Sequence, residues 1–161
     1  MTATLQHIVP TTDQPTTATA TTAPRSTIAE RLTGPTVATV RVVVSFLFVL
    51  HGAMGLWGAF GGVDGQGGTV VFGSWPGWWG SVIHLVAGVL VGAGLFTRTA
   101  ALLCSGSMAY AYFTVHQPAA LLPIANGGEM AALYSWIYLL IAVLGPGAFA
   151  LDNLRRRRAN R

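Results

Sequence analysis

Apolar residues in this chain gather into four long runs, at 37–60, 78–96, 99–116 and 128–149, instead of alternating in short strands. A helix rises ~1.5 Å per residue, so about 20 residues cross the ~30 Å core of a bilayer. Runs this long and continuous predict four membrane-spanning helices. The second and third runs lie near the short limit, which leaves little room for tilt. A β-barrel is excluded, because its strands would alternate apolar and polar positions. The predicted fold class is all-α: a polytopic membrane protein built as an antiparallel four-transmembrane-helix bundle.

The flanks read differently. Residues 1–26 are rich in Thr, Ala and Pro. They bury too little apolar surface to offset their ordering entropy, which predicts a disordered tail. The tail lacks a basic start and a continuous apolar region, so no secretory leader is expected. Thr27-Ile28-Ala29-Glu30 has the spacing of a capping box and predicts a short interfacial helix within 27–35, ended by Gly34-Pro35. The membrane domain then spans 36–154, and 155–161 form a basic tail. The turn Thr97-Arg98 forces the second and third runs into a hairpin. The loop at 61–75 is long and Gly-rich, and Trp75, Trp78 and Trp79 mark the outer interface.

Composition sharpens this picture. Of 161 residues, 52% are apolar and 9% charged. Soluble domains carry roughly a quarter charged residues, so an ordinary soluble domain and a nucleic-acid-binding arm are excluded. Every basic residue is an arginine. Arg25, Arg31 and Arg41 precede or open the first run, Arg98 sits between the second and third, and Arg155, Arg156, Arg157, Arg158 and Arg161 follow the fourth. Four crossings put them all on one side, which the positive-inside rule makes cytoplasmic. The expected location is the cell membrane, with both termini in the cytoplasm. Arg41, about a turn inside the first run, is expected to snorkel outward. Arg155, Arg156, Arg157 and Arg158 read either as a stop-transfer anchor or as a contact for anionic lipid. The absence of lysine excludes a P-loop and Schiff-base chemistry. A single cysteine, Cys104, excludes an internal disulfide, a CxxC pair and a cysteine zinc site, and reads as a small buried hydrophobe.

Polar residues inside apolar runs are costly and usually face the bundle interior. His51 lies ~13 Å from the outer end of its run and His84 ~9 Å. His116 and Glu129 lie near the outer ends of the third and fourth. All four occupy the outer half, one per helix, so an outward-opening polar vestibule of His51, His84, His116, Asn126 and Glu129 is expected. Simpler readings stand beside it. Each histidine can satisfy a neighbouring carbonyl, and Asn126 can cap a helix that Glu129 completes. His51, His84, His116 and Glu129 also make a workable ligand set for Zn, Cu or Fe, including haem, but no ligand-spacing motif supports it. Gly52, Gly55, Gly58 and the Gly88-x-x-x-Gly92 pair read as close-packing surfaces between helices.

Three stretches resemble the DoxX family of small four-helix membrane proteins. The first is Arg41 followed by His51-Gly52-Ala53-Met54-Gly55. The second is the glycine-rich stretch that ends Gly94-Leu95-Phe96-Thr97-Arg98. The third combines Asn126-Gly127-Gly128-Glu129 with Gly145-Pro146-Gly147-Ala148-Phe149-Ala150-Leu151-Asp152. The resemblance covers about 38–154. The chain departs from the family pattern at His84, where a Glu is expected, and lacks the Lys that often follows His-Gly.

The resemblance implies membership of membrane redox assemblies, among them quinone-coupled thiosulfate oxidation and a complex of oxidative-stress defence. Imidazole and carboxylate groups can hydrogen-bond quinone carbonyls and exchange protons near neutral pH. The leading expectation is a membrane subunit of a respiratory or quinone-linked assembly, not an enzyme on its own, with the lipid bilayer and other membrane subunits as partners. The alternatives are a non-catalytic structural or assembly subunit and, further off, a histidine-based metal or haem site.

Overall fold

The computed structural model describes residues 27–159. The expected disorder of residues 1–26 lies outside them, as do the last two residues. The elements are α1 (Ile28–Trp57), a 3-10 turn (Ala59–Gly61), α2 (Gly77–Ala93), α3 (Thr97–Ala111) running into a π-helical turn (Tyr112–His116), the single turn α4 (Pro123–Asn126), α5 (Glu129–Leu144) and α6 (Leu151–Ala159). Among the described residues there are no strands, only an isolated bridge between Gly62 and Gly68. The chain is all-α. Among the described helices α1 alone is long and apolar enough to cross a membrane, and α2 and α5 are shorter apolar helices.

The capping box forms as the sequence spells it. Thr27 Oγ1 accepts from Glu30 N at 3.3 Å, and Glu30 Oε2 accepts from Thr27 N at 2.8 Å. The expected break at Gly34-Pro35 does not occur. α1 continues through Pro35 for 30 residues. A proline there lacks one ladder donor and crowds the preceding turn. Tertiary contact outweighs that cost: Ala148 N, from the segment after α5, donates to Gly34 O at 3.0 Å.

Other boundaries shift inward for a shared reason. Gly58 and Gly94 adopt left-handed conformations that stop α1 and α2 ahead of the ends of the apolar runs. The α2–α3 turn is therefore 94–96, and Thr97 and Arg98 already belong to α3. The connection between the third and fourth apolar runs contains the single turn α4. The basic tail at 155–161 is helical as far as Ala159.

The helices pack antiparallel, as their opposed registers require. Moving along α1, Ser45 lies against Gly92, Val49 against Gly88, and Gly52 against Leu85 and Ser81 of α2. Between α3 and α5, Ser105 Oγ donates to Ser135 O at 2.9 Å, Arg98 lies beside Gly145 and His116 beside Gly128. The glycine seam is tight. A Cβ on Gly52 would lie 2.8 Å from backbone atoms of Leu85 and Ser81, and one on Gly88 3.0 Å from Val49 Cγ2. The core is filled by small residues, Ala87, Ala100, Ala101 and Cys104, with Phe48, Tyr134 and Tyr138 between them. Cys104 is fully buried, as its apolar surroundings suggest.

Candidate functional site

One end of the bundle carries the long loop. Asp64 Oδ1 accepts from Gln66 N and Gly68 N, both at 2.8 Å, and Val70 N donates to Gly55 O at 2.9 Å, which fastens the loop to α1. Those two N–H groups hold the Asp64 carboxyl below its usual range.

The polar residues singled out from the sequence lie toward this end, in three environments. His84 of α2 is half-buried, with its ring 4.2 Å from that of Phe48. It lines a cavity of about 230 Å³ between α2 and α3, together with Trp75, Ser81, Ile83, Tyr110 and Val115. Trp75 Nε1 donates to Tyr110 Oη at 2.7 Å, and the two rings lie 5.1 Å apart. The His84 ring nitrogens have no hydrogen-bond partner among the described residues. His51 sits one face over on α1. It is exposed, and its Nδ1 meets Leu47 O at 3.1 Å. A carbonyl can only accept, so Nδ1 carries the proton there. Its ring lies edge-on to Tyr134, 6.1 Å between centroids, and Tyr134 in turn packs on Phe48.

His116 and Asn126 form a separate group. His116 Nδ1 meets Asn126 O at 3.2 Å. Asn126 Nδ2 donates to Ala120 O at 2.7 Å, and its Oδ1 accepts from Gly128 N at 2.7 Å. Asn126 therefore ties the α3–α5 connection together and is not the cap of α5, because Gly128 occupies that position. Glu129 is the first residue of α5, exposed, beside the positive end of the helix dipole. Among the described residues it pairs with no imidazole. No three His, Cys, Asp or Glu side chains among them come together as a metal-holding group, so the set His51, His84, His116 and Glu129 is not assembled.

The opposite end holds the residues that sequence reasoning misjudged or missed. Arg41 does not snorkel. It is 1% exposed, and its Nη1 donates to Val91 O and Gly92 O, both at 2.9 Å, with Nη2 reaching Phe149 O at 3.5 Å. The first two carbonyls belong to the last turn of α2, where the helix dipole is negative, and the third to the segment between α5 and α6. Asp152 of α6 caps α3 from a distance. Its oxygens accept from Phe96 N at 3.0 Å, Thr97 N at 2.9 Å and Thr97 Oγ1 at 2.9 Å. Burial pushes this carboxyl up, but those hydrogen bonds and the Arg155 charge outweigh it and hold it below its usual range. The available signal was an arginine set one turn into an apolar run and an aspartate opening a basic helix; neither names its partner.

A family model for DoxX matches residues 36–117. The chain belongs to the DoxX family. DoxX proteins are membrane proteins, and that membership places this chain at a lipid bilayer. An uncharacterized protein of Haemophilus influenzae is 42% identical over 124 residues, covering 71% of this chain and 86% of that protein. No solved structure matches the chain. The three stretches that carry the family resemblance divide between the two ends of the bundle. Arg41, the Gly94–Arg98 turn and the segment through Asp152 build one end of the bundle, and His51-Gly52 and Asn126–Glu129 lie toward the other.

Proposed function

We propose that this DoxX chain is a multi-pass subunit of a quinone-linked redox assembly in the cytoplasmic membrane, with the cavity at His84 as the seat of a quinone headgroup. The cavity carries the reading. An imidazole that finds no hydrogen-bond partner among the described residues lines a mostly apolar pocket walled by two aromatic rings. Drug-sized sites measure ~300–1,000 Å³. At about 230 Å³ this cavity suits one six-membered ring, with a prenyl tail left outside among lipid. Val115, exposed at its edge, suits that exit.

The donor set fits the group. A quinone would supply two-electron, two-proton chemistry. His84 would donate one N–H to a quinone carbonyl and hold or release the proton at that nitrogen. Tyr110 and Trp75, already bonded to each other, would present ring faces and keep water out.

Placement across the bilayer belongs to the same proposal. Large apolar side chains face outward on every long helix: Val43 and Phe46 on α1, Val89 on α2, Leu103 on α3, Trp136 and Leu140 on α5. Such a surface suits lipid and is rare on a soluble monomer. α3 with its π turn runs 97–116, enough for the ~30 Å core. The shorter α2 and α5 span it with their flanking turns and slight local thinning. The arginine end faces the cytoplasm and the His84 cavity the other side.

A second reading, a non-catalytic structural or assembly subunit, draws support from His51 and His116, each already satisfied by a carbonyl. Quinone content separates the two. The full chain, purified in mild detergent, is extracted and its quinone measured. The redox reading predicts bound quinone in the native chain and about tenfold less in His84→Leu of unchanged helicity. No quinone in the native chain, or equal amounts in both, supports the structural reading.

A further inference from the structure

At the arginine end a second cavity, of about 460 Å³, lies between the start of α3 and α6. Arg98, Arg155 and Arg156 line it with Thr97, Thr99 and Asp152. We propose that this cavity is a discrete site for a phosphate group, in particular the headgroup phosphate of an anionic phospholipid.

Three guanidinium groups come together here from two elements far apart in sequence. Asp152 brings them together by capping α3 and docking α6 onto its first turn. Among the described residues Asp152 is the only acid lining the cavity; its oxygens accept from Phe96 and Thr97, and its charge offsets only part of the three arginines'. Among the described residues none of the three arginines forms an ion pair. Positive charge is thus concentrated beside the positive end of α3, the arrangement that attracts an anion.

The site is held in shape. Arg155 lies over the Phe96 ring, 4.6 Å from its centroid. Phe96 has a left-handed backbone, φ 48°, a conformation that Asp152 fixes by accepting its N–H. Guanidinium forks suit phosphate oxygens in a way that single ammonium charges do not.

The surroundings favour a lipid as the source of the phosphate. Phe96 exposes its ring at the cavity, and Phe149, Leu151 and Leu154 expose apolar side chains along the neighbouring groove on the other side of α6. α6 thus offers an apolar strip and a basic one, the pattern of a helix lying in a membrane interface. A headgroup could enter the cavity while its acyl chains lie against that strip. The site rests on membrane placement and not on the quinone cavity, so either can fail alone. It also differs from diffuse attraction to a basic tract, because Arg157 and Arg158 do not line the cavity.

The test uses the purified full chain in a neutral detergent. Thermal stability is followed while phosphatidylglycerol, phosphatidylcholine or inorganic phosphate is added. The proposal predicts saturable stabilisation by phosphatidylglycerol and none by phosphatidylcholine. Apparent affinity should fall about tenfold in Arg98→Gln/Arg156→Gln, the scale of losing charge-assisted contacts. It should stay within about twofold in Arg157→Gln/Arg158→Gln, which removes the same charge outside the cavity. Arg156→Gln alone, at an exposed position, gives the same direction of change should the double variant not fold. Equal loss in both double variants, or an equal response to phosphatidylcholine, overturns the site. Stabilisation by inorganic phosphate without any by phosphatidylglycerol overturns the lipid assignment and leaves a soluble phosphate as ligand.

Discussion

Arg41 illustrates how a charge can be held inside an apolar bundle chiefly by backbone carbonyls. Its guanidinium meets the carbonyls of Val91, Gly92 and Phe149 and links α1, the end of α2 and the segment after α5. Hydrogen bonds to a charged group contribute about 1.5–3 kcal/mol each. Arg41→Met removes two such bonds at 2.9 Å and a longer third, and should therefore cost about 3–6 kcal/mol, read as lost thermal stability in detergent; Arg41→Lys should recover only part, because an ammonium cannot span the same carbonyls. Asp152 gives a pH signature. Its carboxyl is held below the ordinary value of 3.8, so the stability it contributes is complete above that value and drains away as pH falls through the folded value. Asp152→Asn should cost about 0.5–2 kcal/mol, the scale of a lost cap, at neutral pH. It should also flatten the decline in stability below about pH 3.8, measured by thermal unfolding across pH. Neither role was legible in the sequence, because Arg41 and Val91 lie 50 residues apart and Asp152 and Thr97 lie 55 apart.

Among the elements, the glycine seam between α1 and α2 sets the closeness of the pair. The obstacles differ along it. Gly52 faces backbone, which cannot move aside, and Gly88 faces the side chain of Val49, which can shift. Gly52→Ala should destabilise by about 1–3 kcal/mol, the range for overpacking, and Gly88→Ala by less. A Cβ on Gly106 meets open space, so Gly106→Ala should be neutral or stabilise by up to about 1 kcal/mol through helix propensity. Melting temperatures of the three variants in one detergent order them. The seam and the four long helices were legible because apolar runs and small-residue spacing are local signals. Helix ends were less so, because left-handed Gly58 and Gly94 decide them and the continuation through Pro35 depends on a contact from Ala148. The His84 cavity was half legible: the depth of His84 could be read from the sequence, but the Trp75–Tyr110 wall joins residues 35 apart.

At the scale of the whole molecule the two ends differ in chemistry. One gathers arginines around Asp152, and the other holds the folded glycine loop and the His84 cavity. The proposed placement has the bundle cross the membrane four times, with the arginine end cytoplasmic. Cysteine accessibility tests this most directly. Single cysteines are placed at Gln66 and Ala159 in a Cys104→Ala background, and intact cells are treated with a membrane-impermeant thiol reagent. Gln66, in the exposed loop, should label in intact cells, and Ala159, at the end of α6, only after permeabilisation. Labelling of Ala159 in intact cells with Gln66 protected, or of both positions from one side, would contradict the account.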